Sequence, residues 1–236
     1  YDVDQATTLS VGIADSVLTN DTAASSEPLK SLLVTAPEHA SSFTLNDDGT
    51  FRVANGKLQI IGNDGNDFVS VSRRGTQVYV EASFLSTPRR WGFGSVSFPL
   101  SDVQSIHAEM GAGNDIFHVS AFLDLPTIID GGEGDDILSA GGGPSLIFGG
   151  AGNDLLVGGR DRSVLVGGSG RDRLLGGHDG DVLIGGDIEA IDGNLNGDAL
   201  HDQIMAAWNS DGAYADRTDA LTALIDDVDD NERDLL

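Results

Sequence analysis

From Gly131 onward a large apolar residue returns every nine positions: Leu138, Ile147, Leu156, Leu165, Leu174 and Leu183. One apolar side chain per nine residues, never missed, marks an inward-facing strand position in a narrow solenoid. The units are GGEGDDILS (131–139), AGGGPSLIF (140–148), GGAGNDLLV (149–157), GGRDRSVLV (158–166), GGSGRDRLL (167–175) and GGHDGDVLI (176–184), and a seventh opens at Gly185-Gly186. Each unit supplies one glycine-rich turn and one short strand. Two units then complete a coil, so each turn stacks on the next but one in the chain.

Upstream, 68–72, 76–82, 93–99 and 103–109 alternate or carry β-branched and aromatic residues and read as strands, with Arg74-Gly75-Thr76 as a hairpin turn. Thr7–Val11, Ser31–Thr35, Ser42–Leu45 and Thr50–Val53 read as shorter strands, and Asn46-Asp47-Asp48-Gly49 as a turn. After Gly193 the period changes. Leu200, Ile204, Ala207 and Trp208, then Leu221, Leu224, Ile225 and Val228, recur at helical spacing and predict helices over 198–209 and 213–227. The acidic run 226–230 reads as a solvated tail. The chain thus divides into a segment of short strands (1–55), a β-rich extension (56–125), a solenoid (126–190) and a helical tail (191–236). The fold class is all-β, a β-solenoid preceded by a β-rich region and followed by short helices.

The outward positions make a further prediction. In alternate strands they are Leu146, Phe148, Val164, Val166, Val182 and Ile184, too large an apolar patch to stay bare. Leu200, Ile204, Trp208 and Leu221 of the helices are the candidates to cover it. The other sheet, with Ile137, Ser139, Leu155, Val157, Arg173 and Leu175, is only partly apolar.

Composition narrows the chemistry. Asp and Glu total 38 against 13 Lys and Arg, a net charge of −25, and 31 of the acids are Asp. Asp and the 32 glycines favour turns over helices. Such a charge repels nucleic-acid phosphates and anionic membranes and suits divalent cations. Absence of cysteine removes disulfides, thiolate zinc sites and thiol catalysis. No apolar run is long enough to span a bilayer. The chain opens at Tyr1 without a basic-then-apolar leader, as a mature chain or a segment of a longer one does.

The nonapeptide fits G-G-x-G-x-D-x-U-x, with U a large apolar residue. Glycines at positions 1, 2 and 4 permit left-handed backbone and a close approach to an ion. The Asp at position 6 adds a hard carboxylate oxygen of the kind calcium prefers. This consensus resembles the RTX, or haemolysin-type, calcium-binding nonapeptide repeat, whose calcium role is already known. Weaker copies stand at Gly62-Asn63-Asp64-Gly65-Asn66-Asp67 and Gly111-Ala112-Gly113-Asn114-Asp115. The resemblance implies a right-handed parallel β-roll with Ca2+ held between stacked turns, in a bacterial protein exported to the cell surface or medium. Val17–Thr22, Pro28-Leu29, Leu33-Val34, Ala36–His39 and Leu45–Phe51 also resemble bacterial cadherin-like or Ig-like repeats.

The two edges of the roll differ. One carries the turns opening at Gly131-Gly132-x-Gly134, Gly149-Gly150-x-Gly152 and Gly167-Gly168-x-Gly170, with Asp136, Asp154 and Asp172 at position 6. The other carries Ser145, Ser163 and Asp181 there, with Asp161 and Asp179 in place of the fourth-position glycine. Calcium sites are expected along the first edge, extended by Gly111, Gly113 and Asp115 and by the Gly62–Asp67 turn. On the second edge they are poor or absent except near Asp179 and Asp181.

Other motifs are weak. Asp192–Asp198 fits the first half of an EF-hand loop, but Gln203 stands at position 12, and a helix start near Asp198 is the blander reading. His39, His107, His118, His178 and His201 lack zinc spacing, and no H-E-x-x-H, G-x-S-x-G or P-loop occurs. Trp91, beside Arg89, Arg90 and Phe93, reads as a strand anchor or a sugar platform. No carboxylate pair stands out for catalysis. The expected function is non-catalytic: calcium-coupled folding of an extracellular structural or adhesive module, with surface polysaccharide or protein as partner. The alternative is the non-catalytic folding and secretion domain of a larger exported enzyme.

Overall fold

The computed structural model describes residues 42–44, 50–83, 94–190 and 197–228. The strands Thr7–Val11 and Ser31–Thr35, the turn at Asn46, His39, Trp91 and its neighbours, most of the Asp192–Asp198 loop and the end of the acidic tail lie outside them.

Two sheets face each other across one apolar core. The strands are β1 (Ser42–Thr44), β2 (Thr50–Ala54), β3 (Lys57–Asn63), β4 (Phe68–Arg74), β5 (Gln77–Ser83), β6 (Gly94–Pro99), β7 (Ser105–Ala112), β8 (Ile116–Val119), β9 (Thr127–Glu133), β10 (Ile137–Ser139), β11 (Ser145–Ala151), β12 (Leu155–Val157), β13 (Ser163–Ser169), β14 (Arg173–Leu175), β15 (Val182–Ile184), β16 (Asp187–Ala190) and β17 (Ile225–Val228). The eight-stranded sheet runs β1-β2-β3-β7-β9-β11-β13-β15, and the seven-stranded sheet runs β14-β12-β10-β8-β4-β5-β6. The pairs from β3 through β7, β9, β11 and β13 to β15, and from β4 through β8, β10 and β12 to β14, are parallel, while β5 and β6 add to β4 antiparallel. The fold is a parallel β-solenoid of about four turns with two short helices at the C-terminal side.

The register explains the coils. Leu138 sits beside Leu156 and Leu156 beside Leu174, each pair two nonapeptides apart as the repeat demands. Ile137 pairs Ile116 through a longer coil, because the connection over 120–126 exceeds the repeat length. Phe68 pairs Ile116 across a longer stretch still, because β5 and β6 are inserted there as an antiparallel meander. Together with the antiparallel β1 and β2, they close the N-terminal end of the roll. Asn55-Gly56 turns β2 into β3 with both φ positive (53° and 79°), the signature of a type I′ hairpin.

Leu138, Ile147, Leu156, Leu165 and Leu174 are buried in the core as their period predicts, and Leu183 is half-buried at the last coil. A second apolar cluster lies outside the eight-stranded sheet. There α1 (Gly197–Trp208) and α2 (Tyr214–Thr222) place Leu200, Ile204, Met205, Trp208 and Leu221 on Ile128, Leu146, Val164 and Val166. The helices thus cover the patch that the sequence marks as needing a partner. One boundary is corrected: α2 stops at Thr222, and Ile225–Val228 form a strand antiparallel to β16 instead of continuing a helix to 227. Asp226 and Asp227 are poor helix formers, and β-branched Ile225 packs on the second cluster from an extended backbone.

Among the described residues no helix is long and apolar enough to cross a membrane.

Candidate metal edge

Five aspartates stack along one edge of the roll. Asp67, Asp115, Asp136, Asp154 and Asp172 each follow a glycine-rich turn, and each is at most 2 % exposed. Buried carboxylates one strand spacing apart demand an explanation.

Half of it is hydrogen bonding. The backbone N–H of Asp67 donates to Asp115 Oδ1 (2.7 Å), that of Asp115 to Asp136 Oδ1 (2.7 Å), that of Asp136 to Asp154 Oδ1 (2.8 Å) and that of Asp154 to Asp172 Oδ1 (2.8 Å). One oxygen of Asp115, Asp136, Asp154 and Asp172 is therefore held by the preceding coil. The other oxygen is not: Oδ2 of Asp115, Asp136 and Asp154 is buried and accepts no hydrogen bond. In Asp67, at the bottom of the column, Oδ2 accepts the N–H of Asn63 (2.9 Å).

The glycines shape what lies beside these oxygens. A methyl group on Gly131 would strike both Asp136 Oδ2 and the carbonyl of Gly149. One on Gly149 would strike Asp154 Oδ2 and the carbonyl of Gly167, and one on Gly167 would strike Asp172 Oδ2 and the carbonyl of Gly185. The second and fourth positions are left-handed: Gly111, Gly132, Gly150 and Gly168 have φ between 95° and 103°, and Gly113, Gly134, Gly152 and Gly170 between 124° and 141°. Each stacks on a carbonyl of the coil before it, so a side chain is excluded by space as well as by φ.

Burial pushes Asp115 up to about 8, Asp154 to about 7 and Asp136 to about 6, against the backbone hydrogen bonds that lower them. Neighbouring carboxylates add to the rise: Asp136 and Asp67 around Asp115, and Asp136, Asp172 and Asp135 around Asp154. Among the described residues no three acidic or histidine side chains converge on one point. A cation here would take one carboxylate per coil and fill its shell from backbone carbonyls. Partnerless hard oxygens beside carbonyls fit Ca2+, which takes 6–8 oxygens in flexible geometry.

The opposite edge is built differently. Thr127, Ser145 and Ser163 occupy successive coils at the position of the aspartates. Ser145 Oγ donates to Ser163 Oγ (3.0 Å), and Ser163 Oγ accepts the N–H of Gly159 (3.2 Å). Asp181 follows in line, but its oxygens accept the N–H groups of Ser163 (2.8 Å) and Gly177 (2.6 Å). Asp179 is exposed on this edge, away from the column. None of the repeat glycines on this edge, from Gly141 to Gly177, is left-handed. The EF-hand-like segment runs into α1 at Gly197, so its seventh position, Asp198, is already helical.

A second ladder escapes the consensus. Asn114 N–H donates to Asn66 Oδ1 (2.9 Å), Asp135 N–H to Asn114 Oδ1 (3.1 Å), Asn153 N–H to Asp135 Oδ1 (2.8 Å) and Arg171 N–H to Asn153 Oδ1 (3.3 Å). Its bonds run opposite to those of the aspartate column one residue away. The readable signal was Asn-Asp at 66–67, 114–115 and 153–154.

A family model of the RTX calcium-binding nonapeptide repeat (4 copies) matches residues 130–165 and 163–187. No curated protein and no solved structure matches the chain. RTX nonapeptide repeats bind Ca2+. Residues 130–187 of this chain are RTX calcium-binding nonapeptide repeats, folded as a parallel β-solenoid.

Proposed function

We propose that calcium is held along the aspartate edge by Asp115, Asp136, Asp154 and Asp172. The carbonyls of the turns Gly111–Gly113, Gly131–Gly134, Gly149–Gly152 and Gly167–Gly170 complete each shell. The observation that carries this reading is the set of buried, partnerless Oδ2 atoms of Asp115, Asp136 and Asp154. Calcium supplies the positive charge that such oxygens lack. Asp179 and Asp181 are left out, because both oxygens of Asp181 are already engaged. The asparagine ladder and the apolar core position the turns; the aspartates decide whether the stack is tolerable. Without a cation, adjacent buried carboxylates oppose folding, so binding energy becomes folding energy.

The module acts outside the cell as a structural or adhesive element, where calcium is near the 10⁻⁴–10⁻³ M that extracellular modules are typically tuned to. The net charge of −25 favours an expanded chain before export. No residue here is assigned a catalytic role.

Far-UV circular dichroism during a calcium titration, with magnesium and EDTA controls, tests this. The expected result is a cooperative gain of β signal with calcium and not with magnesium, which dehydrates reluctantly and demands stricter geometry. Asp154→Ala should abolish most of the gain and Ser163→Ala should not. A β spectrum already complete in EDTA and indifferent to Asp154 would sink the proposal.

A further inference from the structure

The roll is not uniform along its axis. Among the described residues, sixteen of the buried apolar side chains of the inner core fall in 50–119, Phe51, Phe98 and Phe117 among them, and seven in 127–184. A thin column of one apolar residue per strand gains less from burial than a core with aromatics. Charge divides the chain at the same place. Residues 50–119 carry six Asp and Glu against six Lys and Arg, a net charge of zero, whereas 120–236 carry 24 against 6, a net −18. Pairing divides there too. The hairpins β2–β3, β4–β5 and β5–β6 are antiparallel and close short stretches of chain. The pairs among β9 to β15 are parallel, and each spans a whole coil.

The metal edge changes at this boundary as well. In the turn 62–67 Asn63 stands where the later turns have a second glycine, and no residue of that turn is left-handed. The N–H of Asn63 donates to Asp67 Oδ2 (2.9 Å), and that of Gly65 to Asn63 Oδ1 (2.7 Å). Backbone donors thus serve the first turn, whereas the buried Oδ2 atoms of Asp115, Asp136 and Asp154 accept none.

We propose that residues 50–119 fold without calcium and are the template on which calcium orders the later coils, an inference that rests on the calcium reading of the aspartate edge. Both sheets of the roll begin inside this segment, and its β7 and β8 pair with β9 and β10 of the repeats. Asp115 closes the template's last turn. The first ion therefore joins that turn to the one at Gly131, and each further ion adds a coil. The Asp67 turn takes no ion. Assembly runs from the neutral end to the acidic end, and self-repulsion within 120–236 keeps those coils apart until calcium arrives.

Hydrogen exchange of the full chain, read peptide by peptide in EDTA and through a calcium titration, is the test. Peptides from β3, β4 and β5 should exchange slowly in both conditions. Those from β11 and β13 should exchange as an unfolded chain does in EDTA and at least about a hundredfold more slowly in calcium. Asp154→Ala should remove the protection of β11 and β13 and leave that of β3 to β5 unchanged. The dependence is one-way. Val80 on β5 is 0 % exposed, and Val80→Asp places a charge in the template core. That variant should lose protection of β3 to β5 in EDTA and raise the calcium midpoint for β11 and β13 about tenfold or more. Should it stay unfolded at every calcium level, Val80→Ala gives the same reading with a smaller shift. Loss of protection over 50–119 and 127–184 alike in EDTA overturns the template and leaves the calcium reading standing. Protection of both in EDTA overturns the two together. An unchanged calcium midpoint in a Val80 variant whose template has lost its protection overturns the templating.

Discussion

Asp154 keeps one carboxylate oxygen on a backbone N–H and leaves the other buried and unmatched, so a neutral isostere there has opposite effects in two conditions. Asp154→Asn should stabilise the metal-free roll, because it removes a desolvated charge flanked by Asp136 and Asp172. The same change should weaken calcium binding at least tenfold. Far-UV circular dichroism reads both, as more β signal in EDTA and a higher calcium midpoint, and a loss of β signal in both conditions would contradict the assigned role. Glycine allows a similar separation. Gly75 has φ +62° and open space where a Cβ would go, so Gly75→Ala should cost only about 1–2 kcal/mol of left-handed strain. Gly150 has φ +103° and the carbonyl of Gly132 in the way. Gly150→Ala must move a neighbouring coil as well, so it should cost several times more and lower the calcium-bound melting temperature accordingly.

At the scale of elements, the two edges have separate tasks. The aspartate edge faces a cation, while the serine edge reaches the helices: Arg162, in the 158–163 turn, donates from Nη1 to the carbonyls of Trp208 (3.0 Å) and Ser210 (3.1 Å) at the end of α1. A cation at a helix C-terminus satisfies carbonyls that the helix itself leaves open. Arg162→Ala should therefore loosen the helices by about 1 kcal/mol, since charged hydrogen bonds contribute about 1.5–3 kcal/mol and these are partly exposed. Fluorescence of buried Trp208, in a chain with Trp91→Phe, should shift to the red on denaturation at lower urea, with the calcium midpoint unchanged. The sequence made much of this division legible. The nine-residue period located the inward Leu138, Ile147, Leu156, Leu165 and Leu174, and parity separated Asp136, Asp154 and Asp172 from Ser145 and Ser163. The apolar outer rows required a cover, and Leu200, Ile204, Trp208 and Leu221 supply it. The connections were harder to read. Nothing local shows that β5 and β6 are inserted between two coils, because the stacking of Phe68 on Ile116 joins positions far apart along the chain. The end of α2 escaped because Ile225 fits helical spacing and strand pairing alike, and tertiary packing chose the strand. The asparagine ladder occupies a position the consensus leaves open.

For the molecule as a whole, the column couples stability to both pH and calcium, in opposite senses. The folded pKa values of Asp115, Asp154 and Asp136 are raised to about 8, 7 and 6 from an ordinary 3.8. Between 3.8 and those values the folded chain holds protons that the unfolded chain has released, so the metal-free fold gains stability on acidification and loses it as pH rises toward 8. In EDTA the β signal in far-UV circular dichroism should therefore grow from pH 8 to pH 5. In a calcium titration the same protons compete with the ion, so the midpoint concentration should rise as pH falls through 7 and 6. A metal-free fold that strengthens with rising pH would remove the basis for both statements. General self-repulsion of a −25 chain also eases on acidification, but it acts between exposed charges and is screened, with a Debye length of about 3 Å at 1 M salt. The buried column is not screened in this way. The pH slope should survive 1 M KCl in the wild-type chain and flatten in Asp115→Asn, which removes the carboxylate with the most strongly raised value.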